Sequence, residues 1–329
     1  MEVPQIIGAD ISKKNIDFAC SLTKKNLRIS NDEDGFKTLS TWITEQGIDR
    51  SRLRVVMEHT GGYSYRFEQF LQSKSLPFVK VSALAIKRSM GLVRGKTDKQ
   101  DAKRICRYGM DKADQLMLAQ PVAQGLQRLQ MLYSIRERFV RDRASMKTAV
   151  KEMQGAFGLK DTDSLIATQL KMVKSFDQQI ENLEAQISDI VKADKNMDQN
   201  YQLVQTIKGV GKVLALATIV KTQNFTRFTD ARKFACFCGT APFENTSGTS
   251  IKGRTRVSHL ADKGMKTLLD LAAKSAIRYD AELKQYYCRR TAAGKPKMST
   301  INVVRNKLLY RIFAVVKRQT PFEPLPIAA

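Results

Sequence analysis

The chain has 329 residues, of which 56 are Lys or Arg and 32 are Asp or Glu, so its formal net charge at pH 7 is +24. A hydrophobic fraction of 43% excludes a globally disordered chain, and no apolar run reaches the roughly 18 residues that a membrane span needs. The first residues lack the basic and apolar regions of a signal peptide. Five cysteines without a C-x-x-C pair argue against a disulfide framework and a zinc cage. Residues 201–329 hold 23 Lys/Arg against 7 Asp/Glu, which predicts a nucleic-acid partner.

The first 110 residues alternate between strand and helix patterns, as expected for an α/β sheet covered by helices. The polar residues 12–15 separate the first two apolar runs, which predicts a hairpin. The predicted strands are 5–11, 16–22, 53–58 and 77–81, and the predicted helices are 36–46, 63–74 and 97–108. Either Thr97 or Asp98 is expected to cap the last of these helices.

The middle region, residues 123–195, has the apolar periodicity of long helices. Val173, Phe176, Ile180, Leu183 and Ile187 are spaced 3, 4, 3 and 4 residues apart, which is a coiled-coil seam. A weaker seam precedes it, and residues 155–164 separate the two. The pattern predicts an antiparallel helical hairpin or a coiled-coil arm, with an ordinary amphipathic bundle as the alternative.

The last region, residues 200–329, is expected to be mainly helical. Glycine-rich and basic loops lead to helical patterns at 265–283 and 299–316, and prolines near the end indicate a disordered or docked tail. The segment TIKGVGK indicates a helix-hairpin-helix element, in which glycines let backbone N–H groups approach a phosphate. A plain tight turn is the alternative. The predicted phosphate-binding residues are Lys208, Gly209, Gly211 and Lys212.

Four carboxylates in the first region have contexts unlike those of solvated surface charges. Asp10 and Glu58 each end an apolar strand, and Asp98 and Asp101 lie three apart on one predicted helix face. Oxygen ligands of this kind suit Mg²⁺ or Mn²⁺, and such ions can stabilise the attacking and leaving oxygens of a phosphodiester. The alternative is that the two aspartates cap the helix and Glu58 pairs with a lysine.

A serine lies within a strongly basic stretch of the last region. Ser247 precedes Gly248, and Lys252, Arg254 and Arg256 follow within ten residues. A serine hydroxyl needs a stabilised transition-state charge to act as a nucleophile, and these cations suit attack on phosphate. Composition alone also permits a phosphate-binding loop whose serines only donate hydrogen bonds. Ser250 and Ser258 are competing candidates on the same evidence.

The order of these motifs resembles the DEDD-type insertion-sequence transposases, the family of the pilin-gene invertase. The resemblance spans essentially the whole chain and rests on six segments in order: IIGADISKKNIDFA, VVMEHTGGY, KTDKQDAKRI, IKGVGKVLALATI, FACFCGTAP and SGTSIKGRTRVSHLADKG. It implies a RuvC-like (RNase H-like) α/β domain at 1–115, a coiled-coil region at 123–195 and a mainly α C-terminal transposase domain at 200–329.

The resemblance also assigns roles to residues. It implies that Asp10, Glu58, Asp98 and Asp101 form the family's acidic, metal-binding tetrad, and that Ser247, the first serine of S-G-x-S, is its nucleophile. It further implies donor and target DNA, a guide RNA encoded by the element, and a homodimer or homotetramer formed through the coiled coil. The expected location is the bacterial cytoplasm, with the nucleoid.

The sequence is therefore interpreted as a DNA recombinase of a mobile element that uses a serine nucleophile with a Mg²⁺-bound or Mn²⁺-bound tetrad. A site-specific DNA invertase is an alternative within the same family. A metal-dependent junction endonuclease without a covalent intermediate is a second alternative. A basic nucleic-acid-binding scaffold is the non-enzymatic one.

Overall fold

The computed structural model describes residues 4–91, 97–120, 122–247 and 251–324, and for five of these, Asn245, Ser247, Ile251, Lys252 and Arg254, it describes the backbone alone. The chain forms two compact units, Met1–Pro121 and Val122–Ala329. The first is a mixed α/β unit and the second is mostly helical, which confirms the coarse fold class predicted from the sequence. The finer division into three domains stays a prediction. No helix within the described ranges is both long and apolar enough to cross a membrane.

A five-stranded sheet lies at the centre of the first unit, with the strand order β3-β2-β1-β4-β5. Its strands are β1 (Gln5–Ile11), β2 (Asn15–Cys20), β3 (Asn26–Ser30), β4 (Leu53–Glu58) and β5 (Phe78–Val81). Its helices are α1 (Glu33–Glu45), α2 (Tyr65–Ser73), α3 (Ala83–Ser89) and α4 (Asp98–Asp111). The first three strands are antiparallel neighbours, whereas β4 is parallel to both β1 and β5.

The sequence analysis missed two short elements of this unit. The edge strand β3 buries only Ile29, and the seven-residue helix α3 buries only Ile86, so neither carries a strong apolar pattern. The second strand ends at Cys20 instead of residue 22, because the chain turns there and Lys24 has a positive φ of 55°.

The two faces of the sheet are covered by different helices, as the alternation of side chains along a strand requires. Ile7 and Ala9 of β1 belong to one core with Phe36 of α1 and Phe67 of α2. Ile6 belongs to a second core, on the opposite face, with residues of α3 and α4. Gly8 and Asp10 alternate with Ile7 and Ala9, so they lie on the α4 face.

The second unit begins with a long antiparallel helical hairpin, α5 (Gln124–Phe157) and α6 (Ser164–Ala193). Arg136 pairs with Glu184 at 2.5 Å and Arg143 with Asp177 at 2.5 Å, so partners further along α5 lie further back along α6. Helix α5 ends at Gly158, whose φ of 65° is the left-handed conformation that terminates helices. The predicted helical hairpin is therefore present, while its role between protomers stays a prediction.

The remainder of this unit packs six helices and a two-stranded hairpin around one core. The elements are α7 (Lys195–Gln205), α8 (Lys212–Thr222), α9 (Ala231–Phe237), β6 (Pro242–Ser247), β7 (Ile251–Val257), α10 (Lys263–Tyr279), α11 (Ala281–Ala292) and α12 (Lys297–Arg318). Two sequence predictions were wrong here. The basic loop contains the β6–β7 hairpin, and the helix predicted at 265–283 is broken because Asp280 caps α11 through the Leu283 N–H.

The described part of the proline-containing tail contacts the helical core. The backbone N–H of Phe322 donates to Thr206 Oγ1 at 2.9 Å, and the Arg311 guanidinium lies 4.5 Å from the centre of the Phe322 ring. The tail is therefore docked at Phe322, which is one of the two arrangements expected from the sequence.

Candidate active site

One row of charged residues crosses the sheet of the first unit. Asp10 of β1 is the register partner of Asp17 of β2, and Asp17 is in turn the partner of Arg28 of β3. On the other side of β1, Glu58 follows Met57, the register partner of Ala9. Residues that share a register row and a face are direct neighbours, so β1 to β4 place these three carboxylates and one guanidinium side by side.

Helix α4 brings the other two predicted carboxylates to this row. Thr97 is its N-cap, and the Thr97 side chain accepts from the backbone N–H of Gln100, so Asp98 and Asp101 lie in the first turn. The helix approaches β1 closely at Gly8. A methyl group at that position would clash with the backbone of Ala102 and lie 2.7 Å from Cys106 Cα. Gly8 therefore sets the distance at which the first turn of α4 lies over Asp10.

The other three predicted carboxylates lie close enough to Asp10 to act on its charge. Burial, together with the negative charges of Asp101, Asp98, Glu58 and Asp17, raises the Asp10 pKa from its ordinary 3.8 to about 6. Burial also raises the pKa of Asp17, against the opposing charge of the Arg28 guanidinium. Such crowding of like charges favours a bound cation.

Arginines hold two of the four carboxylates. Asp98 Oδ2 accepts from Arg28 Nη2 at 2.8 Å, and Asp101 Oδ1 accepts from Arg104 Nη1 at 2.6 Å. Arg28 Nη2 also lies 3.3 Å from Asp17 Oδ2. In the described part of the chain, no three His, Cys, Asp or Glu side chains converge closely enough to hold a metal ion. The oxygen-only donors and their mutual repulsion fit Mg²⁺ or Mn²⁺, provided that the aspartates leave these arginines.

The predicted nucleophile lies in the second unit. Ser247 is the last residue of β6 and pairs with Ile251, the first residue of β7. For Ser247, Lys252 and Arg254 the structure describes the backbone alone. Ser250 lies outside the described residues. Arg256 pairs with Phe243 in the same hairpin and is exposed. Ser258, the other candidate serine, accepts a hydrogen bond from the Leu260 N–H at 3.2 Å.

The predicted phosphate-binding turn joins α7 to α8. Gly209 has a φ of 93°, which side chains rarely adopt, and a Cβ there would lie 2.7 Å from Ala276 Cβ of α10. Gly211 is the N-cap residue of α8, and Lys208 and Lys212 are exposed on either side of it. The turn is thus fixed against α10 and presents the start of α8 with two lysines.

A cationic cluster on α11 and α12 was missed by the sequence analysis. Around the ring of Tyr286 lie Lys307 Nζ at 4.6 Å and the guanidinium carbons of Arg289 and Arg290 at 5.8 Å. Nearby Glu282 is bound by Arg311 at 2.5 Å. The spacing of Tyr286 to Arg289 and Arg290, three and four residues along a helix, is the signal that was available.

Asp17 and Arg28 were also missed. The hairpin turn at 12–15 fixes the register of its two strands, so Asp17 opposite Asp10 was open to prediction from the turn. Arg28 was not open to prediction in this way, because its strand was not recognised.

Two family matches run along the chain in the order of the motifs. Residues 7–154 match a DEDD transposase family of the IS110 type, and residues 201–288 match the family described as Transposase IS116/IS110/IS902. The first match includes all four carboxylates and the second includes Ser247. The chain belongs to the IS110 family of transposases.

Curated relatives agree with this assignment over most of their length. The chain is 28% identical to the pilin gene-inverting protein of Moraxella bovis over 324 residues, which covers 96% of this chain and 97% of that protein. It is 22% identical to the transposase for insertion sequence element IS1111A of Coxiella burnetii over 292 residues, 82% of this chain and 79% of that one. This IS110-family transposase is therefore a DNA recombinase of a mobile element.

Proposed function

We propose that this IS110-family transposase breaks and rejoins DNA through Ser247, with a divalent metal ion held by Asp10, Glu58, Asp98 and Asp101 of an RNase H-like, RuvC-like first domain. The observation that carries the proposal is the position of the first turn of α4 over the row that contains Asp10, where burial and the charges of Asp101, Asp98 and Glu58 raise the pKa of Asp10 to about 6. Negative charges gathered around the partly buried Asp10 are costly unless a cation binds there.

The tetrad would hold Mg²⁺ or Mn²⁺, which when bound polarises the scissile phosphate and neutralises charge on its oxygens. Asp10 is the central ligand in this proposal, because the other three carboxylates all act on its pKa. The sheet supplies Asp10 and Glu58 and the helix supplies Asp98 and Asp101, so the site depends on the packing of α4 against β1.

Ser247 would supply the nucleophile. Its Oγ forms a bond to the scissile phosphorus, the bond from that phosphorus to the 3′-oxygen breaks, and the serine proton ends on the released 3′-hydroxyl. The resulting phosphoserine linkage keeps the energy of the phosphodiester, so attack by a second 3′-hydroxyl rejoins strands without ATP. The cations of β7, among them Lys252, Arg254 and Arg256, would stabilise the charge on the phosphate.

Donor and target DNA are the proposed substrates, and the family resemblance supports an element-encoded guide RNA as a further partner. The same breaking and rejoining of strands would also invert a DNA segment, and the Moraxella bovis relative is named as a gene-inverting protein. Exposed apolar side chains on the hairpin, among them Ile135 of α5 and Met172 of α6, support its use in pairing protomers as a dimer or tetramer.

A denaturing-gel trap on labelled DNA that carries the element's own junction tests this function, with its RNA and Mg²⁺ present. Wild type is expected to form a covalent protein–DNA adduct, and Ser247→Ala is expected to form none. Ser258→Ala is the matched control, because Ser258 lies in the same basic segment and is expected to keep the adduct.

The proposal would be contradicted if wild type cleaved the DNA without forming an adduct and Ser247→Ala cleaved it as well. That result would favour the junction endonuclease, in which the tetrad activates water directly. Loss of the adduct in Ser258→Ala but not in Ser247→Ala would move the nucleophile to Ser258.

The Tyr286 cluster is expected to bind nucleic-acid phosphates. Affinity falls with salt, so the slope of log affinity against log salt is negative. Replacing both Arg289 and Arg290 with alanine is expected to make this slope shallower by roughly 1–2, since each phosphate contact to duplex DNA contributes about 0.9. Fluorescence anisotropy with a short labelled duplex checks this, measured between about 50 and 200 mM salt, where such affinities change steeply. Arg138→Ala, which removes an exposed arginine of α5, is the control, and equal slopes in all three proteins would contradict the assignment.

A further inference from the structure

Arg28 pairs with one of the four proposed metal ligands. Its Nη2 atom lies 2.8 Å from Asp98 Oδ2 and 3.3 Å from Asp17 Oδ2, so one guanidinium bridges a carboxylate of α4 and a carboxylate of the sheet. Asp98 belongs to the proposed tetrad, whereas Asp17 does not. The pairing therefore draws Asp98 toward the β3 edge of the sheet and away from convergence with the other three carboxylates.

The Arg28–Asp98 contact can be broken at low cost. Both side chains are more than half exposed, at 55% and 59%, and an exposed ion pair contributes little because water screens it. Arg28 also keeps a second partner, since the Asp17 side chain is only 12% exposed and stays on the same row of the sheet. Release of Asp98 therefore does not leave the guanidinium without a counter-ion.

We propose that Arg28 is a positioning residue that takes the place of the metal ion at Asp98 in the metal-free chain, and that it withdraws to Asp17 when a divalent ion binds. The inference rests on the proposed function, because it needs the tetrad to be a metal site. It accounts for the position of Asp98, which acts on the Asp10 pKa while its Oδ2 atom is held by Arg28; Asp101 is held separately by Arg104.

The affinity for Mn²⁺ tests this, measured on the full chain without nucleic acid by the EPR signal of the free ion. Arg28→Gln removes the competing cation and is expected to bind Mn²⁺ about three-fold more tightly than wild type. Arg28→Lys keeps a positive charge and is expected to stay within about two-fold of wild type. Lys99→Gln removes an exposed charge next to Asp98, and Lys99 forms no ion pair among the described contacts. The Mn²⁺ affinity of this control is also expected to stay within about two-fold of wild type.

Asp17→Asn is expected to have the opposite effect on Mn²⁺ affinity. It is a second test that remains available if Arg28→Gln does not fold. Without Asp17, Asp98 is the one ion-pair partner of Arg28 left among the described residues, so Mn²⁺ binding is expected to weaken by about three-fold. Thermal melts in EDTA check the fold of each variant, and a purely structural Arg28 would change the melts without changing the affinity.

Two different failures are distinguishable. Unchanged or weaker Mn²⁺ binding in Arg28→Gln, with normal binding in wild type, overturns the role of Arg28 and leaves the metal site standing. Absence of binding in wild type and in Asp10→Asn alike overturns the proposed metal site, and the inference falls with it.

Discussion

The Asp10→Asn variant is expected to lose strand cleavage by at least about 100-fold, because even the groups that support a metal ligand are worth 10–100-fold. It is also expected to gain stability when no metal is present. The folded-state pKa of Asp10, about 6, lies above its ordinary 3.8. The folded state therefore binds the proton more tightly. Ionising Asp10 lowers the free energy of unfolding, and this loss of stability begins above about pH 4 and is complete above about pH 6.

At pH 7 in EDTA the gain from Asp10→Asn is expected to be about 1–2 kcal/mol, after allowing for solvent screening of a partly exposed group. Urea unfolding at pH 4 and pH 7 checks the sign: wild type should lose stability relative to the variant as the pH rises. Asp34→Asn is the control, since Asp34 is an exposed carboxylate of the same unit that pairs only with Lys37 among the described ion pairs. A variant less stable than wild type at pH 7 in EDTA would contradict the account of Asp10.

The Gly8→Ala variant is expected to be destabilised by about 3 kcal/mol and to lose metal binding. The added methyl group would meet the backbone of α4 at Ala102 and Cys106, and backbone cannot rotate away as a flexible side chain does. The helix must move off β1, which carries Asp98 and Asp101 away from Asp10. Urea unfolding and Mn²⁺ binding on the same preparation measure both effects.

Gly62→Ala is the matched control for Gly8→Ala. A Cβ at Gly62 meets nothing within 4 Å, so the same chemical change in the same unit is expected to cost little. Full Mn²⁺ affinity in Gly8→Ala would show that the spacing between α4 and β1 does not set the site.

Much of the first unit was predictable because its strands and helices have strong local patterns. β1 and β4 were predicted with their observed ends, and Thr97 caps α4 as one of the two expected residues. The carboxylates were predicted as a set from their strand-end and helix-turn positions, and in the structure Asp101, Asp98 and Glu58 all act on the pKa of Asp10. Their catalytic role, and that of Ser247, stays a prediction.

Other features depend on contacts between distant parts of the chain. The pairing of Arg28 with Asp98 joins residues that are 70 positions apart. Arg28 lies on β3, which buries only one residue, so no local pattern indicates the pairing. The break at Asp280 was missed because the apolar spacing of α10 continues into α11, while the cap that separates them depends on a single aspartate. The β6–β7 hairpin was missed because its strands are polar and basic.

The most direct test of the central claim is the anomalous difference map of crystals of the chain grown with Mn²⁺. The account predicts a peak in contact with the Asp10 carboxylate and at least one of Glu58, Asp98 and Asp101, and its loss in Asp10→Asn crystals grown in the same way. Mn²⁺ bound elsewhere with no peak at Asp10, or a peak there that survives Asp10→Asn unchanged, would contradict it.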